Sequence, residues 1–80
     1  MNDEYKSPYE RARIVFDRIV WDLERFEEKH QMTSDEFARK FSNAELPEEE
    51  DFFDWRIKVV AFRRMVAKFG FRRATKEKKQ

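Results

Sequence analysis

Apolar residues recur at helical spacing in the first and last thirds of the chain. They step by four, three, four and three residues in the first third, and by three, four, three, four and three in the last. Such steps place side chains on one face of an α-helix, which predicts two long helices with one buried face each. The first set is Ala12, Phe16, Ile19, Leu23 and Phe26, and the second is Phe52, Trp55, Val59, Phe62, Val66 and Phe69.

Two capping signatures mark helix starts. Ser7 is followed by Pro8 and, three residues after the serine, by Glu10. This spacing fits a capping box with proline in the first turn, and it predicts a helix from about residue 8. Thr33 and Glu36 repeat the spacing, which predicts a short second helix.

The third helix is expected to begin near Pro47 with an acidic first turn. Carboxylates suit that position because the helix dipole is positive there. Gly70 is the residue type that ends a helix in the left-handed conformation, with Phe71 folding back toward Val66. The predicted helices span about residues 8–30, 34–42 and 47–69, and residues 72–80 are predicted to form a disordered basic tail.

These elements predict an all-α fold in one domain over residues 1–80. The arrangement is long, short, long: an antiparallel helical hairpin with a short middle helix, which a dimer could complete into a four-helix bundle. A single glycine disfavours a sandwich or barrel, since those folds need turn residues. With no cysteine, no signal-like segment and no apolar run of roughly 20 residues, we expect a cytoplasmic chain with no membrane span.

Each long helix carries further apolar residues outside its core face. Ile14 and Trp21 lie roughly 140–160° from Phe16 at about 100° per residue, with arginines such as Arg18 between and beside them. Tryptophan and arginine are enriched at protein interfaces. The third helix has a similar stripe on the side away from Val59, and the candidate interface residues are Ile14, Arg18, Trp21, Phe53, Ile57 and Val60.

Two interpretations of these stripes stay open. In one, a protein partner or a second copy of the chain covers at least one stripe. In the other, the short helix and the segment 42–47 cover one of the stripes internally, through Phe37, Phe41 and Leu46.

Charge is unevenly distributed along the chain. Residues 1–55 have eight Lys and Arg against sixteen Asp and Glu, whereas residues 56–80 have ten against one. The basic end offers an alternative function, nucleic-acid binding through phosphate contacts, with a solubilising tail as the plain explanation. The residues that would serve it are Arg63, Arg64, Lys68, Arg72, Arg73, Lys76, Lys78 and Lys79.

No catalytic or metal-binding signature is recognisable. The acidic residues around Pro47 lack the glycine turn and alternating ligands of a calcium loop. They are better explained as a helix start, or as a patch that docks a basic partner. His30 is the only histidine and is expected to stabilise a helix C-terminus. We therefore expect a chain that is not an enzyme and needs no cofactor or metal.

The central sequence resembles a family of small, poorly characterised prokaryotic proteins. The shared pattern is M-x-S-x-E-F-x3-F, then E-L, then D-F-x2-W, with glycine favoured where this chain has Ala44. The matching residues are Met32, Ser34, Glu36, Phe37, Phe41, Glu45, Leu46, Asp51, Phe52 and Trp55. The resemblance covers about a third of the chain and implies an antitoxin-like protein that restrains a second small protein. Together these features predict a non-enzymatic protein-binding module.

Overall fold

The computed structural model describes residues 7–73, and these residues form three α-helices and no strand. Helix α1 spans Pro8–His30, α2 spans Ser34–Ser42 and α3 spans Glu50–Phe69. The predicted all-α class and the long-short-long arrangement are confirmed. Within the described part of the chain, no helix combines the length and the apolar character that a membrane crossing needs.

The ends of α1 and α2 follow from their capping residues. The Ser7 hydroxyl accepts a hydrogen bond from the Glu10 amide at 3.1 Å, and the Ser7 amide donates to the Glu10 carboxylate at 3.0 Å. The Thr33 hydroxyl accepts from the Glu36 amide at 3.0 Å. Each contact satisfies an amide that has no partner within its own helix, so both helices begin where the sequence predicts.

The connection from α2 to α3 differs from the prediction. Ala44 adopts the left-handed conformation with φ of 58°, which glycine reaches at lower cost. Leu46 then packs against the core, and Glu49 remains extended with φ of −143°. Helix α3 therefore begins at Glu50 instead of near Pro47, because the preceding residues are drawn out in placing Leu46.

Helices α1 and α3 pack as an antiparallel pair. Tyr9 near the start of α1 lies 6.2 Å from Phe69 at the end of α3, between ring centroids. Phe26, near the end of α1, stacks on Trp55 at 5.5 Å near the start of α3. The two apolar faces predicted from the sequence therefore meet along the length of both helices.

Helix α2 closes one end of this pair. Its Phe37 ring is parallel to the Trp55 indole, with centroids 4.0 Å apart, and both residues are fully buried. The Trp55 indole N–H donates to the Ser34 hydroxyl at 3.0 Å, which satisfies the indole's one polar group. The main buried cluster consists of Ile19, Leu23, Phe37, Ala38, Phe52, Trp55 and Val59.

The chain turns back onto α1 after α3 ends. Gly70 has φ of 74°, and its amide donates to the Val66 carbonyl at 2.9 Å, as expected for a glycine cap. Phe71 is buried, but it packs on Tyr9 and Phe16 with centroids 5.1 and 5.0 Å away. Phe71 therefore packs on α1, and its folding back toward Val66 stays a prediction.

Candidate protein-binding groove

The side of α3 that faces away from the core is apolar and open. We call Phe53, Ile57 and Val60 the outer stripe. Phe53 is 54% exposed and Ile57 63% exposed, whereas Val60 is half-buried. At about 100° per residue, Ile57 lies roughly 160° from Trp55, so the helix geometry turns it outward.

Phe41 of α2 forms a wall beside the outer stripe. Its ring meets that of Phe53 edge to face at 6.1 Å, and the Arg56 guanidinium lies 5.8 Å from the Phe41 centroid. The result is an open groove along α3, which we call the outer groove, with a volume of about 740 Å³. Its lining residues are Phe41, Phe53, Arg56, Ile57, Val60, Ala61, Arg64 and Met65.

The middle of the chain does not close over the outer groove. Phe37 is buried in the core against Trp55, and Leu46 packs against the same cluster. Phe41 reaches only the edge of Phe53, and Ile57 stays exposed. The interpretation in which α2 and the following segment bury this stripe internally is therefore wrong for Phe53 and Ile57.

A smaller pocket adjoins the outer groove at the acidic end of α3. It has a volume of about 260 Å³ and shares Phe41 and Phe53 with the groove. Leu46 and Pro47 supply more apolar surface, and Glu48 and Glu49 line the same pocket. The apolar surface therefore continues past the start of α3 and acquires an acidic border there.

The stripe on α1 is exposed but forms a different kind of surface. Ile14 is 54% and Trp21 52% exposed. The Arg25 guanidinium lies 4.8 Å from the Trp21 ring centroid, so part of the indole is covered by its own helix. Arg18 is exposed beside it, and so is Val15, which the sequence analysis did not single out. No residue of α1 lines the outer groove, so the two are separate surfaces.

Charged residues on the outer side of α3 separate by sign. Glu50 and Asp54 are exposed near its start, and Arg64 and Lys68 are exposed toward its end. Lys58, between these groups, pairs with Asp54 at 3.4 Å and with Asp22 of α1 at 3.1 Å. Burial lowers the pKa of Lys58, but the hydrogen bonds and charges of Asp22 and Asp54 together outweigh it, and the pKa is raised.

The structure divides the basic residues that were candidates for nucleic-acid binding. Arg63, Arg64, Lys68 and Arg72 are exposed, with Arg63 3.7 Å from Asp35. Lys76, Lys78 and Lys79 lie outside the described residues.

Arg73, the second residue of the predicted disordered tail, is held by an ion pair. Its guanidinium donates to both oxygens of Glu27, at 3.0 and 2.6 Å, and is partly buried. Burial raises the pKa of Glu27, but hydrogen bonds from Arg73 and Ser34 outweigh it and hold the pKa below its usual value. Arg73 therefore holds the returning chain against α1 and is not available for phosphates in this arrangement.

His30, the last residue of α1, packs against the core near the start of α3. Its ring stacks on Trp55 at 5.6 Å, and Nε2 lies 3.0 Å from an Asp51 oxygen. Lys29 donates to the same oxygen at 2.7 Å, and these two contacts lower the pKa of Asp51. The histidine thus links α1 to the start of α3. Its described contacts, with Asp51, Phe52 and Trp55, include no serine, threonine or cysteine nucleophile. Residues 7–73 contain no group of three or more carboxylate, histidine or cysteine side chains placed to hold a metal ion.

Sequence reasoning found the outer stripe but missed most of the residues that make it a groove. Ala61 and Met65 continue the stripe from Ile57 by steps of four residues. This helical spacing is visible in the sequence and could have identified both residues. Phe41 was expected to act as a cover, whereas it forms a side wall. Only the packing of α2 against α3 decides that role.

Searches against family models, curated proteins and solved structures return no match to this chain.

Proposed function

We propose that this chain is a cytoplasmic, non-enzymatic protein-binding module that takes an amphipathic helix of a partner protein into the outer groove. The observation that supports it is the outer groove itself: an open apolar channel of about 740 Å³ along a helix that is covered only on its other face. Burying exposed apolar side chains is the main source of affinity in protein association.

A helix suits the shape of this channel better than a strand. The apolar residues of the outer stripe are spaced by four and three residues, which produces the ridges into which another helix packs. A strand would need an open sheet edge for pairing, and the described residues form no sheet. Helix-in-groove binding therefore fits the surface.

The charges around the groove specify the partner further. A docked helix would meet Glu50 and Asp54 at one end and Arg64 and Lys68 at the other. Such a helix binds best if it carries basic residues toward the acidic end and acidic residues toward the basic end. An antitoxin-like role would use this groove to hold a second small protein.

Nucleic-acid binding has less support from the same surfaces. Arg73 is paired with Glu27, and Arg63 lies near Asp35. Glu50 and Asp54 would repel phosphates approaching along the outer side of α3.

Photo-crosslinking in the cells that encode the chain tests the proposal. A photoreactive amino acid replaces Ile57 in one variant and Arg39, an exposed α2 residue outside the groove lining, in a matched control. We expect one adduct from position 57, identified by mass spectrometry as a defined peptide of one protein, and none from position 39. Adducts with nucleic acid, or equal adducts from both positions, would overturn the proposal.

A further inference from the structure

The spacing of residues on the outer side of α3 is symmetric about the middle of the helix. Phe53, Ile57, Val60 and Arg64 follow one another by four, three and four residues. This order is the same in both chain directions. A two-fold axis pairs residue i of one copy with residue j of the other and j with i, so a surface of this kind is complementary to itself when the copies run antiparallel.

The charged residues are arranged symmetrically about Val59, half a residue from the centre of the apolar set, and with opposite signs. Glu50 is nine residues before Val59 and Lys68 nine residues after it, and all three belong to α3. Asp54 and Arg64 lie five residues before and after the same position. An antiparallel pair of α3 helices would therefore oppose acid to base at both ends.

We propose that the partner helix is α3 of a second copy of this chain, packed antiparallel about a two-fold axis near Lys58 and Val59. This inference rests on the proposed function of the outer groove. In this dimer Ile57 packs on the partner's Val60, and Glu50 faces the partner's Lys68. Phe53 lies against the partner's Arg64, where a guanidinium can stack on an aromatic ring.

The exposed stripe on α1 is less continuous than the outer stripe. Ile14 and Trp21 are seven residues apart with Arg18 between them, and the Arg25 guanidinium lies 4.8 Å from the Trp21 ring centroid. A two-fold axis at Trp21 would place Arg18 opposite the partner's Glu24, so charge alone does not exclude this stripe. The continuous apolar lining of the outer groove, with Phe41 as its wall, favours that groove as the self-association surface.

Light scattering on the full chain tests the assembly directly. We expect a particle of twice the chain mass of 10.0 kDa, and a shift to the single-chain mass for Ile57→Asp with unchanged helical circular dichroism. A dimer that survives Ile57→Asp would overturn the inference and its placement in the groove. If the wild-type protein stays monomeric, the partner is not a second copy of this chain. The proposed function then stands if position 57 still crosslinks to a different protein. If position 57 crosslinks to no protein, the dimer and the proposed function both fail.

Charge reversal tests the pairing of the ends. Glu50→Lys with Asp54→Lys makes both ends of α3 basic, and Arg64→Glu with Lys68→Glu makes both acidic. Each double variant alone should dimerise at least about tenfold more weakly than wild type, and an equimolar mixture should recover the wild-type affinity within about threefold. Unchanged affinity of the double variants, or a mixture no tighter than either alone, would overturn the proposed pairing.

Cysteine crosslinking tests the direction of the helices independently of the charges, in a chain that has no natural cysteine. In the antiparallel dimer, the two copies of position 57 are about 4.5 Å apart along the helix axis and those of position 53 about 16 Å apart. Ile57→Cys should therefore form a disulfide-linked dimer on mild oxidation, and Phe53→Cys should not. Crosslinking at both positions would indicate a parallel pair, and crosslinking at neither would place the contact elsewhere.

Discussion

The two faces of α3 have similar residue types and opposite environments. The inner face presents Phe52, Trp55 and Val59, and the outer stripe presents Phe53, Ile57 and Val60. Trp55 is 0% exposed whereas Ile57 is 63% exposed. Both faces lie on one helix, so propensity and capping are shared, and the difference lies in what packs against each face.

The inner face is covered because α1 and α2 both converge on it. Phe26 stacks on one side of Trp55 and Phe37 on another, and Ser34 satisfies the indole N–H. No element among residues 7–73 remains to cover the outer stripe, since α2 reaches only as far as Phe41. A three-helix chain of this length buries one face of this long apolar helix, and Phe53 and Ile57 on the other face stay exposed.

The largest expected effect on stability comes from removing the Trp55 side chain from the inner face. Trp55→Ala should lower the free energy of unfolding by about 3–5 kcal/mol, because it removes a fully buried ring and leaves a cavity between Phe26 and Phe37. Urea denaturation followed by circular dichroism measures the loss.

Trp55→Phe is the matched control for this change. It keeps an aromatic ring next to Phe37 but removes the hydrogen bond to Ser34, so it should cost less, about 1–2 kcal/mol. A Trp55→Ala variant as stable as wild type would contradict the assignment of this face as the core.

An intermediate effect is expected at the ion pair between Glu27 of α1 and Arg73, which follows the end of α3. Glu27→Gln should lower the free energy of unfolding by about 1–2 kcal/mol at neutral pH, because it weakens the partly buried contact with Arg73. Glu28→Gln, at the exposed neighbouring position, should change it by less than about 0.5 kcal/mol.

The pH dependence of the Glu27 effect has a defined sign. Since the pKa of Glu27 in the folded protein is lowered from 4.5, its contribution is fully present above pH 4.5 and is lost as the pH falls through the folded pKa. The stability difference between wild type and Glu27→Gln should therefore shrink in acid denaturation series below pH 4.5. A difference that grows on acidification would contradict the ion pair.

The smallest effect on the isolated chain is expected at the outer stripe. Ile57→Ala should change the free energy of unfolding by less than about 0.5 kcal/mol in dilute solution, because the side chain is mostly exposed there. At high protein concentration the proposed dimer adds stability, so the wild-type melting temperature should rise with concentration and that of Ile57→Ala should rise less. If the melting temperatures of the two proteins rise equally with concentration, Ile57 does not contribute to self-association.

Local signals predicted the helices well and the connections poorly. Ser7 with Glu10 and Thr33 with Glu36 fix helix starts within a few residues of themselves, and the structure has both contacts. Helix α3 begins at Glu50 and not near Pro47 as predicted, because Leu46 packs against core residues that are distant in sequence. Arg73 was assigned to a disordered tail for the same reason: its partner, Glu27, is 46 residues away in sequence.

The candidate groove shows the same limit. The periodicity of α3 placed Phe53, Ile57 and Val60 outside the core face, and they do lie on the outer side of the helix. It could not show that Phe41 would stand beside them as a wall while Phe37, four residues earlier, was buried against Trp55.

The sequence by itself therefore determined the three helices, their inner faces and the separation of charge along α3, because these depend on residues within a few turns of one another. Tertiary structure alone decided that the outer stripe stays open beside Phe41, that α3 begins at Glu50 and that Arg73 pairs with Glu27. Those outcomes depend on the packing of elements distant in the chain, and periodicity within one helix contains no information about what will lie opposite it.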